Sequence, residues 1–178
     1  MLTLDDLHAK PHTSISELKC FIGCPRKHTK VFLERAVPAF RPLALVLDSA
    51  WHATIAEHLA RSARHEHRPI DELRQHLRDG IVHDVEADAV PVLFEEEEQN
   101  MGVVVDAAMR MLDVFLARLP VPDFVYGVEV PFSLGLVHPV TGETHPVPLA
   151  GAMDAIVEEG GHPVVLEFET GERRWTAD

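Results

Sequence analysis

The sequence predicts an α/β fold: an N-terminal helical segment followed by a mixed or antiparallel β-sheet. Three observations carry the prediction. Apolar residues keep helical spacing from residue 14 to residue 119, and from residue 123 to residue 171 the period changes to two. Between the last two strands stands Gly160-Gly161, the two-residue loop that a type I′ hairpin favours. At 178 residues, 46% apolar and 25% charged, the chain is long enough for one core and gives no reason to expect two. A single domain over 1–178 is expected, its helical part at 14–119 and a three-stranded sheet at 123–171.

Each element has a local reason. Ser14 and Glu17 in "SISE" have the spacing of a capping box, which starts a helix at Ile15. Pro25 either breaks that helix or opens the next, "PRKHTKVFLER". From Leu43 to Arg64 one helical stripe carries Leu45, His52, Ile55, Ala56 and Leu59. The segment "PIDELRQHLRDGIVHDVEADA" reads as a third, more polar and exposed helix. A fourth runs from about Glu96 to Leu119, with Met101, Val104, Val105, Ala108, Leu112, Phe115, Leu116 and Leu119 at core spacing. The run "EEEE" at 95–98 reads as its acidic first turn. "LPVPD" ends it. Three strands follow: "FVYGVEVPFSLGLV", then "PVPLAGAMDAIVEE" after a "TGE" turn, then "HPVVLEFETG". Pro146 and Pro148 keep the start of the second strand from regular pairing.

Charge is uneven. The net formal charge is −13, yet residues 1–42 hold seven Lys/Arg against four acids, whereas 43–178 hold nine Arg and no Lys against 25 acids. Bulk charge therefore argues against nucleic-acid binding, while the first segment permits local phosphate contacts. The opening "MLTLDDLHAK" lacks the apolar run of a signal peptide, and "LALVL" is far too short to span a bilayer, so no membrane association is expected. Cys20 and Cys24 are badly placed for a disulfide, and a reduced, cytoplasmic protein is expected.

The last hairpin concentrates acids. With Gly160-Gly161 as the loop, facing residues have numbers that sum to 321, so Glu159 faces His162 and Asp154 faces Glu167. Directly opposed residues have Cβ atoms about 4.5–5.5 Å apart, which presses two carboxylates together. Glu169, facing Ala152, completes an acidic triangle with Asp154 and Glu167. Like charges so close destabilise a sheet and raise each other's pKa, and a bound Mg²⁺ or Mn²⁺ reverses that penalty. A face open to solvent, where the acids repel weakly through water, is the alternative.

Three separated stretches carry a resemblance: "SISELKCFIGCPRKHTKVFLER" (14–35), "LALVLDSAWHATIAEHL" (43–59) and "PLAGAMDAIVEEGGHPVVLEFETG" (148–171). Together they resemble the RecB-like branch of the PD-(D/E)XK (restriction endonuclease-like) nuclease superfamily. There, CPRK, a helical His, a G-x-x-D strand and a D/E-x-K-T-G strand occur in this order. CPRK or the His alone is a weak signal; the ordered set is more specific. The resemblance implies a partial restriction endonuclease-like core. It also implies one or two divalent metals, Mg²⁺ or Mn²⁺, that activate water for hydrolysis of phosphodiester bonds in DNA. An exonuclease or endonuclease acting in repair, recombination or defence is the implied function.

Carried over by position, the resemblance makes His52, Asp154, Glu167 and the Phe168 backbone carbonyl metal ligands. It makes Asp154, Glu167 and Glu169 the catalytic positions. Lys19, Arg26, Lys27 and Lys30 are candidates for phosphate contacts; the alternative for them is a solvated helix face. A histidine on an apolar stripe is, by itself, more often a packed core residue than a ligand.

This sequence departs from the pattern in three places. Glu169 stands where the family has its lysine, which leaves a second reading open: a catalytically inactive nuclease-like subunit that binds DNA or another protein. Asp48 stands where the family usually has Gly. The chain ends at Asp178, where the family continues into a helix with a Gln/Tyr motif and a further strand. The expectation is a truncated domain, completed by a missing C-terminal segment or a protein partner. Cys24 matches an early cysteine that some relatives use for an iron–sulfur cluster, but no cysteine follows it, so this chain alone cannot build one.

Overall fold

The computed structural model describes residues 3–66, 69–86, 90–94, 100–119 and 122–170. Two bodies make up the chain: Met1–Val37 with Glu129–Met153, and Pro38–Val128 with Asp154–Asp178. Helices precede a mixed sheet, the α/β arrangement that the change of period predicts. Among the described residues no helix is long and apolar enough to cross a membrane.

In the first body, α1 (Leu4–His8) is held by a reciprocal capping box between Thr3 and Asp6. The two residues of β1 (Thr13–Ser14) precede α2 (Ile15–Gly23). That helix starts where expected, because Ser14 Oγ accepts the Glu17 N–H at 3.0 Å. The return half of its capping box does not form, since Glu17 Oε1 faces His28 Nε2 at 3.0 Å. Pro25 opens a new short helix, α3 (Pro25–His28), and a π-helical turn follows over Thr29–Leu33. "PRKHTKVFLER" is therefore not one continuous helix. Cys20 and Cys24 are free thiols, and Cys24 Sγ caps α3 by accepting the Lys27 N–H.

The second body contains β2 (Arg41–Pro42), paired parallel with β3 (Val92–Leu93). It also contains the long helices α4 (Leu43–Ala63), α5 (Ile70–Glu86) and α6 (Met101–Arg118). The helix α6 begins at Met101, where Asn100 caps it, rather than near Glu96; the acidic run 95–98 lies outside the described residues. Its stripe Val104, Val105, Ala108 and Leu112 is buried as expected.

Two expectations about burial are corrected. On α4 the buried stripe is Leu43, Val46, Ala50, Trp51, Thr54, Ile55 and Leu59, while Leu45 is 59% exposed. Two steps of about 100° set Leu45 roughly 200° round the helix from Leu43. The more polar α5 is not an exposed helix. Leu73, Leu77 and Ile81, four residues apart, form a single apolar row that is fully buried. A low average hydropathy hides such a row, and its three side chains each contribute about 1.5–3 kcal/mol by leaving water. Gly80 faces Ala50 of α4, where an added Cβ would stand in ordinary van der Waals contact at 3.4 Å.

Strands β4 (Phe124–Leu134) and β5 (Leu149–Glu159) each run through both bodies. The strand order is β1-β5-β4, with β6 (His162–Leu166) also pairing with β5. In the first body β1 pairs parallel with the start of β5, through Thr13↔Leu149 and Ser14↔Ala150. In the second body β5 and β6 pair antiparallel from Glu159↔His162 to Ala155↔Leu166, the register expected from the Gly-Gly loop. Gly160 and Gly161 have φ of 59° and 80°, the positive values that a type I′ turn requires. The third strand is shorter than expected: it stops at Leu166, and Gly171 lies outside the described residues.

Candidate active site

Every residue of the acid-rich cluster belongs to the second body. Alternation along β6 directs Val164 and Leu166 into the core against Ala155 and Val157, and Phe168 beyond the strand follows the same parity. The Phe168 ring meets Phe115 edge-on at 5.5 Å, and Phe115 meets Trp51 at 5.6 Å. Glu167 and Glu169 have the opposite parity and are exposed.

The ladder register, continued one step past Leu166, sets Glu167 opposite Asp154. There the chain leaves β5, and the Phe168 N–H donates to Asp154 Oδ2 at 2.7 Å. Phe168 thus fixes its ring in the core and its backbone at the site. Its carbonyl oxygen lies 2.8 Å from His52 Nε2, and the same nitrogen lies 3.5 Å from Asp154 Oδ2. The other ring nitrogen, Nδ1, faces the Asp48 carbonyl at 2.8 Å. His52, Asp154 and Phe168 are therefore brought together from a helix, a strand and the residues after a strand.

Electrostatics follow from this packing. Burial lowers the His52 pKa, but the Asp48 and Phe168 carbonyls, with the Asp48 and Asp154 carboxylates, outweigh it, and the net shift is upward. A ring with a carbonyl acceptor at each nitrogen is satisfied as an imidazolium. The Glu167 pKa is also raised, by burial first and by the Asp154 charge second, with Glu169 adding a smaller push. Glu167, Phe168, Glu169 and Thr170 line one cleft of about 510 Å³ together with Trp51 and Phe115.

The donor set suits a small divalent cation. Donors at right angles on an ion at about 2.0–2.1 Å stand about 3 Å from each other. His52 Nε2 stands 2.8 Å from the Phe168 oxygen and 3.5 Å from Asp154 Oδ2. Among the described residues no three His, Cys, Asp or Glu side chains form a ready-made metal cluster. The basic residues Lys19, Arg26, Lys27 and Lys30 all lie in the first body, where Lys30 pairs with Glu34 at 2.5 Å.

A family model of the PD-(D/E)XK nuclease superfamily matches residues 12–178. The chain belongs to this superfamily. Comparison with curated proteins gives no match, and comparison with solved structures gives none. Within the PD-(D/E)XK frame, the ordered set of motifs read from the sequence falls inside the matched span, including Asp154 and Glu167 on the hairpin. Sequence reasoning missed the part played by Asp48 and Thr170, whose side chains meet at 2.5 Å. The available signal was the four-residue spacing of Asp48 and His52, which sets them on one face of α4.

The raised pKa of Glu167 has a consequence for stability in this PD-(D/E)XK chain. A carboxyl group with a raised folded pKa favours folding while it is neutral. That contribution is present below its unfolded pKa and is lost as pH rises through the folded value. At neutral pH the charge opposes folding, weakly because the side chain is exposed to solvent screening. Glu167→Gln is expected to raise the Tm of the metal-free protein by about 1–2 °C at pH 7, and by less at pH 4. Differential scanning calorimetry at both pH values checks this; a lower Tm at pH 7 would show that the charge stabilises the fold.

Proposed function

We propose that this chain is a metal-dependent DNA nuclease domain that hydrolyses phosphodiester bonds, of the RecB-like type. The observation that carries the proposal is the approach of His52 Nε2 to the Phe168 carbonyl and to Asp154 Oδ2, with Glu167 opposite Asp154. His52, Asp154 and the Phe168 carbonyl would hold Mg²⁺ or Mn²⁺, with Glu167 as the further carboxylate. Such an ion supplies a Lewis acid for the phosphoryl group and the leaving oxygen.

The protein's own groups have distinct tasks. His52 would hold the ion through Nε2 as the neutral ring. Glu167 would add its carboxylate beside Asp154, and a bound cation would relieve the repulsion between the two acids. Glu169, in the position of the expected lysine, would provide a general base or strengthen binding of a second ion. Lys19, Arg26, Lys27 and Lys30 are proposed to contact backbone phosphates. Arg26 and Lys27 are exposed. DNA in a cytoplasmic setting, with repair, recombination or defence as the process, completes the reading.

Glu169 also supports a second reading, a catalytically silent relative that binds DNA or a protein. A cleavage assay with Mn²⁺ on single- and double-stranded DNA separates the two. Cleavage by the wild type that is lost in Glu167→Ala is the expected result. Mn²⁺ binding without cleavage of either substrate would favour the silent reading.

A further inference from the structure

We propose that Asp48 and Thr170 form a latch that positions the carbonyl of Phe168 and the side chain of Glu169. Its functional consequence rests on the metal-site reading above. After Leu166 the chain has no ladder to hold it, yet residues 167–170 carry two acids and the carbonyl donor. Three hydrogen-bond contacts are among those that hold this stretch. The Phe168 N–H donates to Asp154 at 2.7 Å, the Phe168 oxygen faces His52 Nε2 at 2.8 Å, and the Thr170 hydroxyl donates to Asp48 Oδ1 at 2.5 Å.

Two of these contacts come from a single turn of α4, since Asp48 and His52 are four residues apart. Asp48 acts at both ends: its backbone carbonyl faces His52 Nδ1 at 2.8 Å, and its carboxylate receives Thr170. A short hydrogen bond to an ionised acceptor is about twice as strong as a neutral one. Glu169 lies between two residues that are each tied down, which restricts its backbone and the region its side chain can reach. Asp48 and Thr170 are positioning residues in this scheme; neither is placed as a ligand.

The test uses the full chain with Asp48→Ala, Asp48→Asn, Thr170→Val and the double variant Asp48→Ala/Thr170→Val. Mn²⁺ affinity by calorimetry is one readout. The other is amide hydrogen exchange at Phe168 and Thr170 in the metal-free protein. Asp48→Ala and Thr170→Val are each expected to weaken Mn²⁺ about tenfold, the loss typical of a group that orients a metal ligand. Each should also speed exchange at Phe168 about tenfold, with the double variant no worse than either alone. Asn keeps an acceptor oxygen for the threonine hydroxyl, so Asp48→Asn is expected to stay within about twofold of wild type.

Equal losses in Asp48→Asn and Asp48→Ala would replace the latch by a pure charge effect and overturn the proposal. So would unchanged exchange in Asp48→Ala, or additive losses in the double variant. A wild type that binds no Mn²⁺ overturns the metal-site reading instead, and the exchange measurement then decides the latch by itself.

Discussion

Asp154→Ala is expected to lower Mn²⁺ affinity by at least about 100-fold and to remove measurable phosphodiester cleavage. Groups that merely orient a metal ligand are worth about 10–100-fold, and a direct carboxylate ligand is worth more. Asp154 has a second task, because its Oδ2 accepts the Phe168 N–H at 2.7 Å. Alanine therefore also frees the carbonyl that would be the third donor. Asp154→Asn separates the two tasks, since an amide oxygen still accepts the N–H but carries no charge. Calorimetry with Mn²⁺, alongside cleavage assays, should find both variants inactive. Near-normal metal binding by Asp154→Ala would remove Asp154 from the metal site.

The next largest effect is expected in the core. Leu77→Ala should cost about 3 kcal/mol, within the range for deleting a fully buried leucine, and should lower Tm by about 6–12 °C. Leu77 has no exposed surface and sits between Leu73 and Ile81 on α5, packed in the same core as Ile55, Leu59 and Leu112. Urea denaturation measures the loss directly. A cost below about 1 kcal/mol would mean that α5 is the exposed helix its polar composition suggests.

That contrast shows what the sequence made legible. The Gly-Gly loop and the period of two were enough to set the β5–β6 register, because a two-residue turn leaves a single way to pair its flanks. Asp154 opposite Glu167 follows from that register. The fate of α5 was hidden because Leu73, Leu77 and Ile81 are outnumbered by polar neighbours, and burial depends on one row rather than on the average. Glu17 shows a different limit. Its spacing from Ser14 fits a capping box, yet His28, eleven residues on, takes its carboxylate.

The site divides in the same way. Local pattern reveals the acids on the hairpin, and the resemblance supplies His52. No local pattern reveals that β6 ends at Leu166, because what ends it is captured from elsewhere: Asp154 takes the Phe168 N–H, and His52 faces the carbonyl. The Asp48–Thr170 contact joins residues 122 positions apart and lies beyond any short-range reading.

The two-glycine turn carries a further consequence for how this hairpin can change over evolutionary time. Side chains on a strand alternate strictly, so while the two-residue turn is kept the number of residues between Gly161 and Glu167 must keep its parity. One residue added between Gly161 and Glu167, with the two-residue turn kept, exchanges the two sides of everything that follows. Phe168 then turns toward water, and an acid is driven among Ala155, Val157 and Phe115. Two added residues leave the alternation intact. Extra length in the turn can leave the pairing unchanged, whereas a single residue added to the strand after it cannot.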